Sequence, residues 1–258
     1  MPVAIVTGAS RGIGRAIALQ LADDGNDVAI NDIPANTSPL EGVKGEIEAK
    51  GRKSTCIIAD ISKEGDVQNL IASTVKEFGE LNIFIANAGI IIVKPLLETT
   101  LEDFDKVQSV NARGTFLCYR EAAKQMVKQG KGGKIIGAAS IAAYRPSGNA
   151  FPYSVSKWTV RGMTQNAALD LAKYGIQSKA YCPGPVNTNM WDEIATEVSK
   201  RNNVPKETAF EESVNARSAS KKAQTPADIA NCVSFLASQR ANQITGQSII
   251  VDGGIVFS

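Results

Sequence analysis

The chain of 258 residues contains no histidine. That removes a Ser-His-Asp triad, an imidazole general base and most zinc sites. Any acid–base chemistry falls to Tyr, Lys, Asp, Glu or Cys. Cysteine is scarce as well. Cys56, Cys118, Cys182 and Cys232 match no metal-ligand spacing and sit beside apolar neighbours, which reads as reduced, buried thiols. Carboxylates do not cluster at ligand spacing either, so no metal is expected. Lys and Arg never run longer than a pair, and 28 basic residues against 26 acidic leave a net charge of +2. Neither nucleic acid nor an anionic membrane is therefore expected as a partner. No stretch reaches the length of a membrane span, and Met1–Val6 lacks the basic start and long apolar core of a signal peptide. With reduced thiols, this places the expectation in the cytoplasm.

What is present is alternation. Short apolar runs read as strands at 3–6, 27–30, 54–58, 81–86, 133–138, 177–181 and 247–251. Between them lie helix-period stretches at 14–24, 39–51, 67–79, 101–111, 114–129, 153–174 and 226–237. Repeated β-α alternation with nearly unbroken apolar strands implies an α/β fold, a doubly wound parallel sheet of Rossmann type covered on both faces. The length fits a single domain, 1–258. One polar segment, 189–224, interrupts the rhythm after the sixth strand. Met190 and Trp191, large and apolar, open it, so it reads as one or two helices forming a lid over a ligand at the carboxyl edge of the sheet.

The first strand runs into Thr7-Gly8-Ala9-Ser10-Arg11-Gly12-Ile13-Gly14. Gly8 permits a tight turn, Gly12 lets backbone approach a pyrophosphate, and Gly14 lets the helix pack on the strand. The helix start then offers free N–H groups to the anion. The spacing is G-x-x-x-G-x-G rather than G-x-G-x-x-G, and no Gly-Lys-Ser/Thr follows, which excludes a P-loop.

The loop resembles the cofactor loop of the short-chain dehydrogenase/reductase family, and four further segments agree in order. They are Asn87-Ala88-Gly89 after the fourth strand, Asn111 in the next helix, Ser140 ahead of Tyr153-Ser154-Val155-Ser156-Lys157, and Pro183-Gly184 after the sixth strand. The resemblance covers essentially the whole chain. It implies a nicotinamide-dependent oxidoreductase moving a hydride between the cofactor and a small ketone or secondary alcohol. It also implies that Ser140 orients the substrate oxygen, that Asn111 supports a proton path to Lys157 through water, and that Asn87, Ala88 and Gly89 support the cofactor. Asp60-Ile61 would contact adenine. Pro183–Thr188 would wrap the nicotinamide, with Val186 and Thr188 on the carboxamide and phosphate side. Homotetramers are common in the family, and the apolar tail Ile255-Val256-Phe257 could pack between subunits.

The residues themselves add chemistry. Tyr153 and Lys157 are four apart, hence on one helical face. Tyrosine ionises near pH 10, and a nearby cation is expected to lower that value and make the phenol a usable acid and base. Asp32, which closes the second strand in Ala29-Ile30-Asn31-Asp32, can accept bonds from both ribose hydroxyls of NAD and would repel a 2′-phosphate. Arg11 points the other way, toward NADP. The carboxylate carries more weight, so NAD is expected, with NADP open. For the substrate, Met190-Trp191 and the ending at 252–257 are similar to the acetoin reductase and 2,3-butanediol dehydrogenase branch of the family. A vicinal diketone, hydroxyketone or diol is therefore expected, in a pocket of Ser140, Ile141, Asn149, Tyr153, Met190 and Trp191. Two alternatives stay open: an NADPH-dependent sugar, polyol or general carbonyl reductase, and a nicotinamide-binding regulator without turnover.

Overall fold

The computed structural model describes residues 1–146, 148–202 and 205–257. One parallel sheet runs in the order β3-β2-β1-β4-β5-β6-β7. Its strands are β1 (Val3–Thr7), β2 (Asp27–Asp32), β3 (Ser54–Ile58), β4 (Ile83–Ala86), β5 (Gly133–Ala138), β6 (Ile176–Pro183) and β7 (Ser248–Val251). The central strands β1 and β4 are buried throughout, because helices cover both faces, and that is why their sequences are apolar runs rather than alternations.

On one face α1 (Gly12–Asp23), α2 (Thr37–Ala49) and α9 (Pro226–Ala237) bring Ile17, Leu21, Leu40, Ile229 and Val233 onto Val6 and Ile30. On the other, α3 (Glu64–Phe78) and α5 (Thr115–Gln129) bring Val67, Leu70, Leu117 and Met126 onto Ile5 and Phe84. Local signals set the helix ends. Gly79 closes α3 in a left-handed conformation (φ 88°), and Thr225 and Asp228 form a reciprocal cap at the start of α9. The first two crossovers place β2 and β3 on one side of β1, and the next places β4 on its other side. The order reverses between β1 and β4, so a crevice opens at their carboxyl ends.

Three expectations change. Strand β2 runs two residues beyond 27–30, and Asp32 closes it, as the sequence placed that carboxylate. The two helices expected at 101–111 and 114–129 are one continuous run: α4 (Leu101–Val107), a π-helical stretch Gln108–Gly114, then α5. Asn111 and Gly114 are buried here, so the backbone must be satisfied internally, and the Thr115 hydroxyl donates to the Asn111 carbonyl at 2.7 Å. Helix α6 (Phe151–Leu171) begins before Tyr153, with Pro152 in its first turn, where a missing N–H costs nothing.

The lid segment forms α7 (Asn189–Asn202) and α8 (Lys206–Arg217). Of that segment, residues 203 and 204 lie outside the described residues, as do 147 and 258 elsewhere in the chain. In the tail, the Asp252 carboxylate accepts from the Gly254 and Val256 backbone N–H groups at 2.8 and 2.7 Å. The turn this makes leaves Phe257 exposed but directs Ile255 and Val256 into the crevice.

Among the described residues no helix is long and apolar enough to cross a membrane, and no group of three or more His, Cys, Asp or Glu could hold a metal ion. All four cysteines are free, but only Cys118 and Cys182 are buried; Cys56 and Cys232 are half-buried. Burial pushes the Cys56 and Cys232 thiols up to about 12 and about 11, so neither carries much thiolate at neutral pH.

Candidate active site

The crevice is a cleft of about 1130 Å³ running from the glycine loop, across the tips of β1, β4 and β5, to the lid. Its floor is built from backbone. Gly8 adopts φ +64°, and a Cβ there would stand 2.9 Å from the Ala88 Cα. A Cβ on Gly14 would collide with the Gly8 carbonyl and the Asn87 amide. Asn87 fixes this arrangement. Its Nδ2 donates to the Thr7 and Gly8 carbonyls at 2.8 and 3.2 Å, while its Oδ1 accepts from the Tyr181 hydroxyl at 2.8 Å. Thr7 Oγ1 accepts from the Asn87 and Ala88 N–H groups, tying β1 to β4.

Asp32 is held at the rim of the loop. Its carboxylate accepts from the Ser10 N–H (3.2 Å), the Ile33 N–H (2.9 Å) and the Asn36 amide (2.7 Å). Asp60 and Ile61 line the same end. Burial works to raise the Asp60 carboxyl, but bonds from Ser62 and the nearby Lys63 outweigh it, and the group is held below the usual carboxylate range. Ser10 is buried behind the loop, and its Oγ has no hydrogen-bond partner. A buried hydroxyl without a partner, a glycine cradle that admits no Cβ and a helix start together fit an anionic, phosphate-bearing group.

The opposite end carries the reactive side chains. Ser140 stands two residues beyond the end of β5; its Oγ accepts from the Ala142 N–H at 3.1 Å and hydrogen-bonds the Tyr153 phenol. Lys157, 5% exposed, donates to the Ala138 carbonyl at 2.8 Å, and its Nζ lies 5.3 Å from the centre of the Tyr153 ring. Asn111 stands behind them rather than on the cleft wall. Its Oδ1 accepts from the Ile90 N–H at 2.9 Å, and its Nδ2 donates to the Ile90 carbonyl at 2.8 Å and to Ser156 Oγ at 3.0 Å. It thereby fastens the loop after β4 to α6.

The electrostatic expectation for Tyr153 is corrected here. Burial pushes the phenol up to about 12, with the Ser140 hydrogen bond working against it. The same burial pushes Lys157 down to about 8. The ammonium lies 5.3 Å from the ring centre, but desolvation is the largest cause of both shifts in the protein alone. At neutral pH the phenol is protonated and the amine is mostly protonated, which is the state of a proton donor.

Of the expected cofactor residues, Gly8, Arg11, Gly12, Ile13, Gly14, Asp32, Asp60, Ile61, Asn87, Ala88, Gly89, Pro183, Gly184, Val186 and Thr188 all line this one cleft. So do the expected substrate residues Ser140, Ile141, Asn149, Tyr153, Met190 and Trp191. Thr188 Cγ2 lies 3.4 Å from where a Gly12 Cβ would stand, so the loop after β6 meets the glycine loop. Trp191 packs edge-on against Phe210 of α8, ring centres 5.0 Å apart. Sequence reasoning missed Ile194, Ile255 and Val256 in the cleft wall, and Arg145 and Arg217 with them. The tail's apolar pair was legible as apolar, but its direction depends on the Asp252 turn.

A family model described as enoyl-(acyl carrier protein) reductase matches residues 8–256. The chain belongs to the short-chain dehydrogenase/reductase family. It is 49% identical to a short-chain dehydrogenase/reductase of Armillaria gallica, over 99% of this chain and 96% of that one. It is 40% identical to a diacetyl reductase [(S)-acetoin forming] of Staphylococcus epidermidis, over 98% of each. It is 39% identical to an L-2,3-butanediol dehydrogenase of Corynebacterium glutamicum, over 99% of each. Among solved structures, levodione reductase superposes with a TM-score of 0.90 at 31% identity, covering 98% of this chain and 96% of the other. A short-chain dehydrogenase of Burkholderia cenocepacia in complex with NADP gives 0.87 at 33%, covering 98% and 97%. The chain is thus an oxidoreductase of a family that uses nicotinamide cofactors.

Proposed function

We propose that the protein transfers a hydride between NAD(H) and a small vicinal diketone, hydroxyketone or diol of the diacetyl and acetoin type, with Tyr153 as general acid and base. The observation that carries this reading is the meeting of Tyr153, Ser140 and Lys157 at the tip of β5, in the same cleft as the glycine loop and Asp32. The nicotinamide, when bound, supplies or accepts the hydride. The side chains do the rest. Ser140 holds the reacting oxygen beside the phenol. Tyr153 gives its proton to that oxygen in reduction and takes it back in oxidation. Lys157, anchored by the Ala138 carbonyl, keeps a positive charge one helical turn away, which favours the phenolate left behind. Met190, Trp191, Ile194 and the tail residues Ile255 and Val256 exclude water from the substrate end. A homotetramer in the cytoplasm is part of the same reading.

Asp32 supports NAD: its carboxylate is aimed at the rim of the loop and would repel a 2′-phosphate. Arg11, exposed and on the cleft wall, favours the second reading, an NADPH-dependent sugar, polyol or general carbonyl reductase. Following NADH and NADPH absorbance against diacetyl, acetoin and a panel of ketoses separates the two. NADH oxidation with diacetyl and acetoin is expected. Exclusive use of NADPH would overturn the Asp32 argument, and turnover of ketoses alone would move the substrate to the second reading.

Two substitutions test the roles. Tyr153→Phe should lower turnover by about 10²- to 10⁴-fold while NADH still binds, checked by steady-state kinetics beside NADH fluorescence titration. Asp32→Ala should weaken NADH use about tenfold and raise NADPH use, read as the ratio of kcat/KM values.

A further inference from the structure

The lid end of the cleft carries charge that the reaction as described does not use. Arg145 lies in the turn that leaves Ser140, with its backbone N–H bonded to the Ile141 carbonyl at 2.9 Å. That turn is rigidly backed: the Tyr144 hydroxyl donates to the Ser248 carbonyl, and Arg161 stacks on the Tyr144 ring at 3.8 Å while donating to the Ala143 carbonyl at 3.0 Å. Arg217 ends α8 on the other side of the opening, and both arginines line the cleft.

Neither guanidinium has a carboxylate within 4.0 Å among the described residues. Arg217 spends two N–H groups on its own helix, at the Ser213 carbonyl (3.4 Å) and hydroxyl (2.8 Å). The Arg145 side chain makes no hydrogen bond among the described residues. A guanidinium has five donors, so most remain free. Both arginines are exposed at the opening; partial desolvation of the Arg217 guanidinium and then the like charge of Arg145 hold it below its usual value. Two exposed like charges repel only weakly through water, but an anion seated in the opening they both line is attracted by each of them. Glu212 is the acidic side chain of α8 that lines the cleft, and Lys106 lines it as a further cation. The balance at this end of the cleft is positive.

We propose that Arg145 and Arg217 form a carboxylate-binding subsite at the mouth of the substrate end, so that the preferred carbonyl substrate carries an anionic group at its far end. This rests on the dehydrogenase reading of the cleft, and it narrows the substrate class. The ketone or diol end meets Ser140 and Tyr153. Met190, Trp191 and Val256 flank the apolar middle, and the arginines clamp the carboxylate in the forked geometry that suits guanidinium. Neutral diketones would then be turned over as truncated substrates. They fill the reacting end but forgo the clamp.

The test uses binding as well as turnover. The chain has two tryptophans, Trp158, exposed on α6, and Trp191 in the cleft. In a Trp158→Phe background the indole fluorescence reports on the cleft alone. Titration with 4-oxopentanoate and with its methyl ester compares the same ketone with and without charge. The acid is expected to bind at least about tenfold more tightly than the ester. Arg145→Met and Arg217→Met should each cut that preference, and the double variant should bring it to about twofold or less. Added salt should erode it in the parent protein.

A parallel assay follows NADH oxidation with diacetyl, which the double variant should support at near-parental rates. An acid that binds no more tightly than its ester, or a preference that survives the double substitution, overturns the subsite. Failure to oxidise NADH or NADPH with any carbonyl would instead overturn the dehydrogenase reading, while the fluorescence titration still decides the subsite.

Discussion

The two ends of the cleft are built on different physics. At the glycine-loop end, recognition is written in backbone. Gly8 and Gly14 are fixed by contacts that admit no side chain, Asn87 spends its amide on two carbonyls, and Asp32 is held by two backbone N–H groups and an asparagine. At the lid end, α7 and α8 pack chiefly on each other, through contacts such as Trp191 on Phe210. Ser218 and Ser220 fasten the end of α8 to Gly253 through the Ser218 hydroxyl (3.0 Å) and the Ser220 N–H (2.9 Å). The difference teaches how such a fold divides its work. The part that takes a constant ligand is integral to the core, and the part that takes a variable one is a separate helical pair whose side chains can change without disturbing the sheet.

The comparison is broken most directly at Gly14. Gly14→Ala should lower NADH affinity by more than about a hundredfold and destabilise the whole domain by more than about 2 kcal/mol, because the new methyl meets backbone that cannot move. NADH titration and a urea melt check this. A variant with parental binding and stability would mean that the loop is as adaptable as the lid.

Trp191→Ala probes the other end. The KM for diacetyl should rise about tenfold through lost apolar contact, with NADH affinity changed less than about twofold and the unfolding midpoint nearly unchanged. A large loss of stability would show that the lid is part of the core after all.

The smallest effect sharpens the contrast by pH. Lys157 and Lys179 are buried in the sheet half, and burial pushes both down to about 8. Lys179 donates to the Leu236 and Ala241 carbonyls, each at 2.8 Å. In the unfolded chain a lysine titrates near 10.4. Between these values the unfolded state binds more protons at these two sites, so their own contribution to stability should rise with pH, by on the order of 1 kcal/mol each from about pH 7.5 to about pH 9. The desolvated thiols, which stay protonated in the folded chain, act in the opposite direction. Urea melts followed by circular dichroism read the gain. Compared with Lys157→Met combined with Lys179→Met, the parent should gain stability as pH rises, whereas a difference between the two that stays constant with pH would place the protons elsewhere.

Much of the site was legible because its signals are local. Glycine spacing after an apolar strand, a Tyr and a Lys four residues apart, and a carboxylate closing the second strand depend only on neighbouring residues. The parts that were not legible depend on distant ones. The resemblance named Asn111, but no periodicity marks the π-helical stretch that holds it or the bonds by which its amide is spent on Ile90 and Ser156. Arg145 and Arg217 read as ordinary surface charges until the fold sets both on one opening. Ile255 and Val256 read as material for a subunit contact, but the Asp252 turn sends them into the cleft.

The sequence by itself determined the alternation of strands and helices, the phosphate-type turn and the one-face placement of Tyr153 and Lys157, since pitch, pleat and turn chemistry act over a few residues. Tertiary structure alone decided the protonation of that pair. How far a phenol or an amine is taken from water depends on every element packed around it. Closure of the sheet under α6 removed enough water to push Tyr153 up and Lys157 down, against the direction their spacing suggested.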